Sequence, residues 1–208
     1  MKDLNFKRTI IAFITVILIL LVILGARILN SNSGSNINAK RFSAAEIKEK
    51  MLQGLTYNNY TISYKIDDSI RMKKIKDNII VVMEPSTGIY GWNDSDSKIA
   101  IAGNTITQKY YQIPVVHESL FHKHYLFIEE SLEDYGDNLY YVKNEMYNDI
   151  NCIVIEAGEN RDETYWVDEE KGFVLKYEAS DGTKWEFTVE LNNVTDEDVK
   201  KPSLSMWT

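Results

Sequence analysis

The chain has 208 residues, of which 44% are hydrophobic and 12% aromatic, with three prolines and one cysteine. That composition suits one folded domain with an appendage and excludes a disordered chain, while a lone Cys152 excludes an intramolecular disulfide or a cysteine-only zinc site. The formal charge of −8 is uneven: residues 1–42 hold six basic residues and one acidic, which leaves 17 basic and 30 acidic, a net −13, on the remainder. Such a remainder is excluded from binding nucleic acid or anionic headgroups by broad electrostatics.

In chain order, the first element is apolar. Thr9 to Ala26 carries no charge and is flanked by Lys2, Lys7 and Arg8 before it and Arg27 after it. A bilayer core of ~30 Å takes ~20 helical residues, which this run and its flanks supply. The alternatives are a cleaved signal peptide and a buried helix. Gly25-Ala26-Arg27 is a poor cleavage site and the run is long for a signal peptide, so an uncleaved anchor over 9–29 is expected. The excess of basic residues before the run puts residues 1–8 in the cytoplasm and everything after the anchor outside. Residues 30–42, with the uncharged stretch SNSGSNIN, read as a flexible spacer.

Residues 43–208 read as the extracytoplasmic domain. Ser43-Ala44-Ala45-Glu46 is a capping box, followed by Ile47, Met51 and Leu55 at helical spacing. The period then changes: Tyr60, Ile62, Tyr64 and Ile66 alternate with polar residues, which predicts a half-buried strand. A meander of short strands follows over 69–76, 78–84, 87–93, 97–103 and 104–111, with turns at Asp67-Asp68, Asp77-Asn78, Asn93-Asp94-Ser95 and Gly103-Asn104. After Pro114, Val116, Leu120, Phe127 and Leu132, widened by Phe121 and Ile128, predict one helix or two short ones over 115–132. Strands resume over 138–147, 149–157 and 161–167. Cys152 shares a face there with Ile150 and Val154, which predicts a buried thiol. No internal repeat is evident.

The C-terminal stretch is the most specific. Phe173, Leu175, Tyr177 and Ala179 alternate with Lys176 and Glu178; Ser180-Asp181-Gly182-Thr183 follows; then Trp185, Phe187, Val189 and Leu191 alternate with Lys184, Glu186, Thr188 and Glu190. This predicts a hairpin with a type I′ turn at Asp181-Gly182 and one aromatic face. The fold class is therefore α+β, mainly β: a strongly curved antiparallel sheet of about eleven strands with helices covering its concave face.

Tyr165-Trp166-Val167-Asp168, Gly172, Leu175-Lys176-Tyr177-Glu178, the Asp-Gly turn and Asn193-Val194 before Pro202 resemble the closing strands of the LolA-like superfamily. That superfamily comprises lipoprotein carriers of the bacterial envelope and lipid-binding or regulatory lipoproteins. The resemblance implies a half-barrel plugged by helices, often around an apolar cavity. Here that cavity would be lined by Tyr60, Ile62, Tyr64, Trp92, Leu175, Tyr177, Trp185 and Phe187. The Ile-, Lys-, Asn- and Tyr-rich composition is that of an AT-rich bacterium such as a clostridium, and the chain also resembles the germination lipoproteins, which bind and activate a cortex-processing amidase. It departs from them in having no cysteine after the apolar segment, and from the shuttling carriers in having its own anchor.

Motifs for catalysis are weak. His117-Glu118-Ser119-Leu120-Phe121-His122 is one residue longer than the zinc-protease pattern, so on a helix His117 and His122 sit ~140° apart rather than on one face. Glu118 and His122 at helical spacing would hold a metal only weakly and read as a solvated face. Asn93-Asp94-Ser95-Asp96 starts like a calcium loop, but Ile99 stands where glycine is needed. With no nucleophile context and no phosphate loop, no catalytic, cofactor or metal residues are expected. The expected role is binding. A protein partner in the envelope or spore cortex is favoured over a lipid or acyl chain, and the open sheet edges also offer a second copy of the chain a place to pair.

Overall fold

Alternating apolar and polar residues dominate the chain from Asn59 onward, and they build one sheet. The structure, a computed structural model, describes residues 41–66, 69–114 and 122–205. The anchor over 9–29, the residues before it and most of the spacer lie outside the described residues, as do Asp67-Asp68 and Val116 to Phe121. Among the described residues no helix is long and apolar enough to cross a membrane.

Helix α1 (Ala44–Leu55) starts at the expected capping box: the Ser43 hydroxyl accepts from the Glu46 amide at 3.3 Å and the Glu46 carboxylate accepts from the Ser43 amide at 2.9 Å. Six strands follow: β1 (Asn59–Ile66), β2 (Ser69–Lys76), β3 (Ile79–Glu84), β4 (Ile89–Asp94), β5 (Ile99–Asn104) and β6 (Lys109–Ile113). Helix α2 (Ile128–Tyr135) precedes β7 (Leu139–Tyr147), β8 (Ile150–Ala157), β9 (Glu163–Asp168), β10 (Val174–Ala179) and β11 (Lys184–Leu191). The eleven strands form one antiparallel, curved and unclosed sheet in the order β6-β5-β4-β3-β2-β1-β11-β10-β9-β8-β7. The first and last strands of the chain therefore meet in the middle, with Tyr60 opposite Leu191 and Tyr64 opposite Phe187.

Three local expectations are corrected. The closing hairpin does not use a type I′ turn. Pairing ends at Ala179 and Thr183, whose amide and carbonyl bond at 2.9 Å, so the loop has three residues. Gly182, at φ +91, takes the left-handed position alone, while the Asp181 carboxylate accepts the Thr183 amide at 2.8 Å. A two-residue turn with both residues at positive φ does occur, at Asn148-Asp149 between β7 and β8. The Gly103-Asn104 turn moves to residues 105–108, because the Asn104 side chain accepts the Ile106 and Thr107 amides and so ends β5. Asp94 does the same for Asp96 and Ser97. Strands β3 to β6 thus start ten residues apart, at Ile79, Ile89, Ile99 and Lys109, a spacing that their differing side chains conceal.

The third correction concerns 115–132. Residues 115–121 lie outside the described residues; from His122 the chain is irregular up to Phe127, which sits at φ +48, and a helix runs from Ile128. Phe127, expected on the apolar side, is exposed. Ile128 and Leu132 are buried and, with Ile47, Met51 and Leu55 of α1, pack on Ile153, Ile155, Tyr165 and Val167. The helices so cover one face of the β7–β10 half. Residues 122–127 lie over β1, β2 and β11, where Lys73 donates to the His122 carbonyl at 2.8 Å and Tyr60 to the Lys123 carbonyl at 3.3 Å. Lys123 in turn donates to the Leu55 carbonyl at the end of α1, at 2.6 Å. The opposite face of the meander buries Val81, Trp92 and Ile101 under Val194 and Val199 of the C-terminal segment. Ion pairs Lys74–Asp198 and Lys76–Asp196 fasten that segment.

Helix α1 sits so close to the β9–β10 turn that backbones touch. A Cβ on Gly172 would lie 2.1 Å from the Lys50 carbonyl oxygen, and one on Gly54 would lie 2.6 Å from the Gly172 carbonyl oxygen. Gly172 also holds φ +79. Gly172→Ala is therefore expected to destabilise the domain by more than about 2 kcal/mol, from left-handed strain plus a backbone clash. Urea unfolding checks this, and an unchanged midpoint would show that α1 does not dock as described.

Candidate functional site

A row of cross-strand neighbours runs over the covered face near one end of the sheet. Tyr64 of β1 lies opposite Phe187 of β11 and Arg71 of β2, and Glu84 of β3 lies opposite Ile89 of β4. Between this row and the overlying Tyr125 and Phe127 is a groove of about 320 Å³. Val82, Met83 and Ile89 line it together with Tyr64, Trp185, Arg71, Lys73 and Glu84. Its aromatic wall is ordered: Trp185 stacks on Tyr64 at 5.0 Å and 12°, and Tyr125 meets Tyr64 edge-on at 4.4 Å.

The polar groups are few and specific. The Arg71 guanidinium bonds the Glu84 carboxylate through Nε and holds it below the usual carboxylate range. Lys73 is 3% exposed; besides the His122 carbonyl, its ammonium lies 4.3 Å over the Tyr125 ring, and burial pushes its pKa down to about 8. The Tyr125 hydroxyl is buried and has no hydrogen-bond partner among the described residues, and burial raises its pKa. The groove can thus hold an apolar group and offer hydrogen bonds at one side.

The eight residues expected to line a cavity are divided among several places. Tyr64 and Trp185 line the groove. Tyr60, Ile62, Leu175 and Phe187 are buried together in the core, at 1%, 0%, 3% and 4% exposure. Tyr177 packs against Tyr165, at 5.1 Å between rings, beside the core under the helices. Trp92 is on the opposite face, because its parity follows Val81 and Ile101; its indole donates to the Val199 carbonyl at 2.7 Å. Arg71, Lys73, Glu84 and Tyr125 were missed. For Lys73 a signal existed, since it sits two residues from Ile75, on the apolar parity of β2.

Of the three histidines, His122 and His124 are among the described residues. His117 and Glu118 lie outside the described residues. His122 is not helical, and its Nδ1 lies 3.2 Å from Glu130. With Glu129 these form the one described group whose three ligand atoms approach within 4.8 Å, on half-buried and exposed side chains. His124 is buried: Nδ1 accepts the Leu126 amide at 3.1 Å, so Nε2 carries the proton and donates to the Val174 carbonyl at 3.1 Å. Asn93 to Asp96 is a strand end and turn. Cys152 is buried, and burial pushes its thiol up to about 11.

Burial pushes the His124 pKa from 6.5 to about 3, so the folded chain keeps the ring neutral. As pH falls below about 6.5 the unfolded chain binds a proton that the folded chain refuses, and stability is lost at up to roughly 1.4 kcal/mol per pH unit. Urea unfolding between pH 7 and pH 5 should show this slope, and His124→Gln should flatten it. The same slope in both chains would contradict the assignment.

No protein-family sequence model matches the chain, and no curated protein does. Among solved structures, the chain is similar to MucB in complex with MucA(peri), at 10% identity over 76% of this chain and a TM-score of 0.45. It spans 59% of that chain's length. It is also similar to an outer membrane lipoprotein-sorting protein domain from Vibrio parahaemolyticus, at 12% identity, 76% and 95% coverage and a TM-score of 0.36. A LolA superfamily protein from Nitrosomonas europaea is similar at 12% identity, 77% and 98% coverage and a TM-score of 0.29.

Proposed function

We propose that residues 43–208 form a non-catalytic LolA-like binding domain, held at the outer face of the membrane by residues 9–29, that binds and regulates a protein partner of the cell envelope or spore cortex. The observation that carries this reading is how the covered face is filled. Tyr60, Ile62 and Phe187 are buried in the core there, and a groove of about 320 Å³ remains at its end. That volume lies at the small end of ligand sites, which run from about 300 to 1,000 Å³, and is short of what a diacyl lipid fills. It suits an anchoring side chain of a partner, set among aromatic walls of the kind that dominate interface energies. Groups with chemical reach are spent on structure: His124 bonds main chain on both sides, and the Cys152 thiol is buried and protonated.

The apolar lining of Val82, Met83 and Ile89 favours a second reading, in which the groove takes a single acyl chain. Native mass spectrometry of the full chain from its own host separates the two. A stoichiometric protein partner is expected, and bound lipid in its place would contradict the first reading. Because Trp185 is only half-buried, Trp185→Ala should weaken partner binding at least about tenfold while changing thermal stability little. Unchanged affinity would remove the groove from the interface.

A further inference from the structure

We propose that the groove receives the C-terminal end of a partner polypeptide, with an apolar last side chain against Tyr64 and Trp185 and the chain-end carboxylate against Arg71 and Lys73. This rests on the partner-binding reading above and adds the chemistry of what enters. Strands β1, β2, β3 and β11 beneath the groove each have a neighbour on both sides. Their ladders are complete, so a partner has no edge there to extend as an added strand and has to present a side chain or a chain end.

Charge selects between those two. Among the described residues that line the groove, Arg71 and Lys73 face one carboxylate, Glu84, which leaves one positive charge in excess there. A guanidinium has five donors and an ammonium three. Glu84 and the adjoining Tyr64 hydroxyl occupy only part of the first set, and the His122 carbonyl takes one of the second. The Tyr125 hydroxyl adds a donor that has no partner among the described residues. A carboxylate uses such a set through two oxygens. A groove of about 320 Å³ is at the small end of ligand sites and suits one large side chain with its carboxylate. At a chain end both branch from the same Cα, as the aromatic wall and the basic groups here require.

The test titrates the full-length chain with N-acetyl-Gly-Ala-Phe as free acid, with the same peptide as C-terminal amide, and with decanoate, read by ligand-observed saturation-transfer NMR. The free acid is expected to bind at least tenfold more tightly than the amide. That preference should shrink in Arg71→Gln/Glu84→Gln, which removes the guanidinium, leaves no unpaired carboxylate and keeps Lys73, and should shrink also in Tyr125→Phe. Equal binding of acid and amide, no binding of either at millimolar concentration, or tighter binding of decanoate would each overturn the proposal. Partner capture that persists undiminished in Arg71→Gln/Glu84→Gln would overturn it too, while leaving partner binding itself intact.

Discussion

The pairing of β1 with β11 is the constraint on which the rest depends. It joins a meander of six strands to one of five and makes a single sheet of them. Its register, Tyr64 against Phe187, also brings Tyr64 beside Trp185, so the aromatic wall of the groove exists only once the two ends of the domain have met. Such a contact spans more than a hundred residues of chain, and its closure entropy has to be offset by the apolar core that forms around it. Tyr60, Ile62 and Phe187, all nearly inaccessible, are that core.

What covers the sheet is held by side chains of the sheet donating to overlying carbonyls as much as by helices. Residues 122–127 have no regular structure, yet their carbonyls at His122 and Lys123 accept from Lys73 and Tyr60. Burying an ammonium is costly unless it is partnered, and Lys73 is held by one carbonyl and one aromatic face, with donors to spare. The same contacts that close the face over the core therefore set a positive charge at the inner side of the groove. Structure and recognition share one residue there.

Much of this was legible in the amino-acid sequence. The capping box at Ser43, the strand count and the aromatic parity of β1 and β11 are local patterns, and local patterns survive folding. The start of the second helix at Ile128 was not legible, because the apolar spacing of Phe127 and Leu132 is the same whether or not the chain turns at Phe127. Trp92 was assigned to the cavity by type alone, whereas its parity on β4 puts it under the C-terminal segment. The site's charges were hidden for a different reason: Arg71 pairs with Glu84 across β2 and β3, a relation set by register and invisible in either strand alone.

The proposed partner binds at the groove and not along the sheet's open edge at β7. Amide hydrogen exchange of the full chain, with and without its captured partner, tests that directly. Binding at the groove would add protection in residues 122–127 and at the ends of β2, β3 and β4 that flank it. Protection confined to β7, where Val142 and Met146 are exposed, would contradict it.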